Sequence, residues 1–234
     1  MNPHILKYFP KARPWSEITS EYVEKITIEY GIAKEKILYA SCICPDELNY
    51  KVTNFNGHFH QGFYLGGLSG VPYTGKTGMA AYASHVPADG ASFIYYGPHV
   101  GIGANGIIGH VLREHQHEAT FSCGSLISVL ERMRRDHVFD WSVNNFEDLQ
   151  ARVIEKILHN HKERLFKADS DVMEALRILF NFSDCLLKDF IIGNKKVFAT
   201  PHIFLLGGVV INPDAGQENF AEIWSFEHLN LNEV

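Results

Sequence analysis

The chain has 234 residues, 46% hydrophobic and 21% charged, a length and balance that suit one soluble α/β domain with a core built without staples. Its 21 basic and 27 acidic residues give a net charge of −6 with no basic stripe, which argues against a nucleic-acid partner. Four cysteines form no dense framework, the start carries no signal pattern, and no apolar run approaches a membrane span. Reduced thiols or metal ligands in a cytoplasmic protein are therefore expected.

In chain order, residues 1–14 carry Pro3, Pro10 and Pro14 and read as an extended arm. Ser16 caps a predicted helix with Ile18, Tyr22, Ile26 and Tyr30 on one face, ended by Gly31. Ile37–Ile43 reads as a buried strand that stops at Cys44-Pro45, with Asp46 in the turn beyond. From Asn54 to Gly78 the chain is rich in glycine, which suggests backbone held close to a ligand or to a neighbouring strand. A short helix over Thr77–His85 precedes a second apolar strand, Ala91–Tyr96, which runs into Gly97-Pro98-His99. Ile107–Leu112 reads as a short strand. Ser122 then caps a helix from Cys123 with Leu126, Val129, Leu130 and Met133 on one face. Helical patterns follow over roughly Phe146–Leu165 and Val172–Ile192, then strands at Ile203–Ile211 and Ile223–Phe226. Strands alternating with helices predict a single α/β domain over residues 1–234, with a mostly parallel central sheet flanked by helices.

Three groups of zinc-ligand chemistry fall at equivalent places in that plan. Cys44 and His99 end strands, and Cys123 opens a helix whose free amides favour its thiolate. Strand ends and helix starts share one edge of a parallel sheet, so residues 55 and 24 apart in sequence can meet there. Three protein ligands leave a fourth position for water, the catalytic rather than the structural arrangement of zinc. The competing reading makes Cys44 and Cys123 small buried hydrophobes. Asp46 is either a carboxylate guiding the zinc-bound water or a turn cap. Cys42 and Cys185 read as core. His58 and His60 suit a proton shuttle, a pocket lining or a solvated loop pair. Gly70-Val-Pro-Tyr-Thr-Gly75-Lys76-Thr77 fits the spacing of a phosphate loop, but Gly66-Gly67 break the strand it needs and Pro72 removes an amide.

Several stretches resemble the limiting-CO2-inducible B/C proteins, relatives of the theta-class carbonic anhydrases. They are Cys44-Pro-Asp-Glu-Leu-Asn49, Gly66-Gly-Leu-Ser-Gly70 through Thr77-Gly78, Ser84-His-Val-Pro87, Tyr96-Gly-Pro-His-Val-Gly101, Ser122-Cys-Gly124 and Leu205–Pro213. The resemblance implies a fold similar to β-carbonic anhydrase, a homodimer, and zinc on Cys44, His99 and Cys123, the trio already chosen by strand-end placement. Asp46 matches the aspartate of the β-class Cys-x-Asp-x-Arg pattern. Leu48 stands where that pattern has arginine, so another base must hold Asp46 off the metal; Arg113 and Lys76 are the candidates. The activity implied is reversible hydration of CO2 to bicarbonate. The alternatives are a silent zinc-binding CO2 or bicarbonate sensor or assembly partner, closed by Asp46, and a nucleotide-binding protein.

Overall fold

The computed structural model of the chain describes residues 2–60, 62–135 and 146–233. Residues expected to form an extended arm instead begin with a helix, α1 (Pro3–Tyr8). Asn2 caps it by accepting from the His4 amide, and Pro3 sits in the first turn, where its missing N–H costs nothing. A two-residue strand, β1 (Arg13–Pro14), leads into α2 (Trp15–Glu24), which continues as a π-turn over Lys25–Glu29.

The remaining elements are β2 (Ile37–Cys42), β3 (Phe63–Tyr64), α3 (Gly75–Ala83), β4 (Ala91–Tyr96), β5 (His99–Gly101), β6 (His110–Val111), β7 (Thr120–Phe121), α4 (Gly124–Arg134), α5 (Leu149–His159), α6 (Lys162–Lys167), α7 (Asp171–Gly193), β8 (His202–Asn212) and β9 (Phe220–Asn230). The main sheet runs β1-β9-β8-β4-β2-β3, with β5 also on β8; β6 and β7 form a separate pair. β3, β2, β4, β8 and β5 are parallel, whereas β9 and β1 form an antiparallel margin. The expectation of a mostly parallel sheet flanked by helices is met.

Period-2 alternation sends the strand side chains to two faces. Tyr39, Phe93, Tyr95, Phe204 and Leu206 pack under Trp15 and Ile18 of α2. Ala40, Cys42, Ile94, Tyr96, Ile203 and Leu205 pack against Met79 and Tyr82 of α3 and Phe180, Leu187 and Ile191 of α7. A third cluster lies beyond the ends of β2 and β4. It gathers Val100, Val209 and Ile211 with residues of α4, α5, α6 and the first half of α7, and it contains Cys44 and Cys123. Cys185, expected in the core, is exposed on α7. Phe182 beside it is exposed too, because the inward face of that turn carries Ser183 and Leu187.

Two close approaches bring the site together. A Cβ on Gly66 would lie 2.4 Å from the Ile43 nitrogen, so the glycine-rich loop is pressed against the end of β2: its partner is a neighbouring strand. Gly97, at φ 141°, breaks the chain between β4 and β5, where a Cβ would meet the Gly208 carbonyl oxygen at 1.9 Å. The break lets the chain leave β4 at Tyr96, opposite Gly207, and pair again from His99, opposite Val210.

Candidate metal centre

Cys44, His99 and Cys123 are buried, and their ligand atoms lie within 4.8 Å of one another. Each arrives differently. Cys44 follows the end of β2 and His99 starts β5, rather than ending a strand. Cys123, rather than Ser122, is the residue at the cap position of α4.

The Cys44 and Cys123 sulfurs are 3.8 Å apart. Two thiolates each about 2.3 Å from one tetrahedral zinc stand about that far apart. His99 Nδ1 is 2.7 Å from Asn212 Oδ1, while its Nε2 is buried without a hydrogen-bond partner. That is the tautomer-fixing arrangement of a metal-binding histidine, one nitrogen tied to a neighbour and the other presented to the ion. Soft sulfurs with an imidazole are zinc chemistry, so the residues fit the ion.

Electrostatics agree. The hydrogen bond shared with Cys44 pulls Cys123 well down against its burial, with His99 and Ser125 helping. The same bond and burial push Cys44 up. Burial alone would lower His99, but the Cys123 sulfur and then Asp46 raise it.

Asp46 stands beside the trio and outside it, with Oδ2 3.9 Å from His99 Nε2. Arg113 takes both its oxygens, Nη1 to Oδ1 at 3.0 Å and Nη2 to Oδ2 at 2.9 Å, and the Leu48 amide donates to Oδ1 at 3.1 Å. Burial would raise this carboxyl; the Arg113 hydrogen bonds, His99 and the Leu48 amide together take it below its ordinary value. Arg113 also donates to Glu47 and, at 2.9 Å, to the Phe121 carbonyl. The Leu48 side chain cannot make such bonds, and the arginine that reaches Asp46 comes from the segment after β6. Lys76, the other candidate, is exposed on α3 and forms no ion pair with Asp46.

Residues 15–230 match the family of limiting CO2-inducible proteins B/C beta carbonic anhydrases. The chain belongs to this family. The crystal structure of PtLCIB4, a homolog of the limiting CO2-inducible protein LCIB, superposes with a TM-score of 0.89 at 22% identity, covering 99% of this chain and 96% of that one. The structure of LCIB itself gives 0.71 at 17% identity, covering 97% of each chain. A β-carbonic anhydrase, CafA of Aspergillus fumigatus, is more distant, at 0.44 and 11% identity over 92% of this chain and 89% of that one. No curated protein sequence matches the chain.

Other expectations resolve within this family frame. The strand before the phosphate-loop spacing is only the two-residue β3, and a Cβ on Gly70 would strike the Gly97 carbonyl, so the loop is packed on backbone rather than shaped around phosphates. Phe63 and Leu65 of the glycine-rich stretch pack toward Tyr82 and α3, and Tyr64 is half exposed. Cys44 and Cys123 share one apolar cluster with Val71, Leu126 and Ile127, and Leu68 and Tyr73 pack against that cluster. His58 and His60 line a cavity of about 530 Å³ with Ile37, Leu38 and Tyr39. That is the opposite end of β2 from Cys44, roughly 17 Å of strand away, too far for a direct proton shuttle.

Asn212 and Asn49 had no assigned role in the sequence reading. Asn212 Nδ2 donates to Asn49 Oδ1 at 3.2 Å, and Asn49 Nδ2 donates to the Cys44 carbonyl at 3.1 Å. The pair ties one ligand's backbone to the other ligand's ring. Both lie in stretches that carried the family resemblance, and that was their signal.

Proposed function

We propose that the chain is a zinc-dependent carbonic anhydrase that interconverts CO2 and bicarbonate, with Cys44, His99 and Cys123 as the metal ligands. The observation that carries this reading is the buried Nε2 of His99, without a hydrogen-bond partner, in a trio with two sulfurs spaced for one tetrahedral ion. Cys44, His99 and Cys123 would hold zinc there, and the bound ion would supply a water acidic enough to be nucleophilic toward CO2, an effect whose type case is carbonic anhydrase itself. Asp46, held at both oxygens by Arg113, would accept a hydrogen bond from that water and orient it. The Arg113 hydrogen bonds lower the Asp46 carboxyl against its burial and would keep it off the metal.

The silent alternative needs Asp46 as a fourth ligand. Engagement of both its oxygens by Arg113 supports the open site instead. Metal analysis with stopped-flow CO2 hydration tests the proposal. The expected result is one zinc per chain and turnover that disappears in Cys123→Ser. Zinc-loaded protein without hydration activity across neutral and alkaline pH would leave only the sensor reading.

A homodimer is part of the proposal, and sedimentation should return twice the 26.5 kDa chain mass. A cytoplasmic setting is proposed with it; among the described residues no helix is long and apolar enough to cross a membrane.

A further inference from the structure

Both sulfurs of the trio are touched by one residue that is not a ligand. Ser69 lies in the glycine-rich loop, 1% exposed, with left-handed backbone (φ 56°, ψ 18°). Its amide faces the Cys44 sulfur, as does that of Asp46. Its hydroxyl lies 3.5 Å from the Cys123 sulfur and 3.0 Å from the Ser125 hydroxyl, which itself lies 3.1 Å from the Cys123 sulfur. A left-handed serine costs backbone energy that glycine would not. The following Gly70 is locked from three sides, by the Gly97 backbone, the Cys42 thiol at 3.5 Å and the Ser183 hydroxyl at 3.4 Å, so the position of Ser69 is set by packing.

We infer that Ser69, with Ser125, positions and electronically tunes the metal thiolates, Ser69 bridging Cys44 through its amide and Cys123 through its hydroxyl. The inference rests on the zinc reading above. Two thiolates and a neutral imidazole cancel the double charge of zinc. Each hydrogen bond donated to a thiolate is charge-assisted and draws electron density off the sulfur. The ion then keeps more of its positive charge.

Cobalt(II) substituted for zinc reads this directly, because its sulfur-to-metal charge-transfer band tracks electron density on sulfur. Ser69→Gly removes the hydroxyl, keeps the amide and relaxes the left-handed backbone, so it should fold. Ser125→Ala removes the second hydroxyl, and Ser125→Thr restores one. Ser69→Gly and Ser125→Ala should each move the band to lower energy. The double variant should move it furthest and bind zinc roughly tenfold more weakly in a chelator competition, the low end of the 10–100-fold loss typical for partners of ligands. Ser125→Thr should leave the band near its wild-type position. An unmoved band with unchanged zinc affinity in the double variant overturns the inference while leaving the metal site standing. A wild-type protein that shows no sulfur-to-cobalt band overturns the zinc reading and this inference with it.

Discussion

Asp46 has two oxygens and Arg113 holds both, at 3.0 and 2.9 Å. Lysine is a point charge without that fork, so Arg113→Lys is expected to behave more like Arg113→Ala than like wild type. Each should lower CO2 hydration by roughly 10–100-fold. In each, zinc X-ray absorption should gain an oxygen ligand as Asp46 turns inward; unchanged absorption together with unchanged turnover would remove Arg113 from the site. The pair also has a pH signature. The folded-state pKa of Asp46 lies below its unfolded value, so its stabilisation is complete above the unfolded value of about 3.9 and is lost as pH falls through the lower folded value. Urea unfolding of metal-free protein should therefore show wild type more stable than Asp46→Asn at pH 6, with the gap closing below about pH 4. A gap independent of pH would deny the ion pair its role. Asn212 supplies a separate test: Asn212→Ala frees His99 Nδ1 and should weaken zinc binding roughly 10–100-fold. At this scale the meeting of Cys44, His99 and Cys123 was legible because thiols and imidazoles beside apolar strands or at a helix start are few. Asn212, Asn49 and Ser69 were not, because amides and hydroxyls have many structural uses and only their contacts tell these apart.

At the scale of elements, the site depends on how the chain passes from β4 to β5. The break at Gly97-Pro98 is what lets β5 pair with the far end of β8 and carry His99 to the sulfurs. Gly97→Ala would put a Cβ 1.9 Å from the Gly208 oxygen at a φ of 141°. The combined overpacking and backbone strain should cost roughly 2–5 kcal/mol, read by chemical denaturation, and zinc affinity should fall with it. A variant as stable as wild type would show that the two segments can part without loss. The strands β2, β4 and β8 were readable as apolar runs because they are buried on both faces. β9 was read as four residues rather than eleven because it is half-buried along most of its length and mixes Glu222, Ser225, Glu227 and His228 with its aromatics. The first helix is hard to see in the sequence because Pro3, Pro10 and Pro14 suit an extended arm, although a proline in the first turn is also a helix start.

For the molecule as a whole, the proposed metal position lies where sheet and helices meet, beyond direct links such as Tyr96 to Asp184 and Lys188 to Glu227. Cys44 belongs to the end of the sheet, Cys123 to the start of α4, and both sit in the cluster that α5, α6 and α7 complete. An ion binding there cross-links sheet to helices in the folded chain, and the unfolded chain offers no such preformed site. Zinc should consequently act as a stabilising ligand. At a free concentration one hundred times its dissociation constant it contributes about 2.7 kcal/mol, which for a chain of this length raises Tm by roughly 5–11 °C. Chelation should lower Tm by the same amount and added zinc should restore it. Cys44→Ser and Cys123→Ser keep the side-chain size but lose the soft ligand, so their Tm should sit near that of the metal-free protein and respond little to zinc. Equal zinc responses in wild type and both serine variants would place the stabilising ion elsewhere on the molecule and separate this cluster from metal binding altogether.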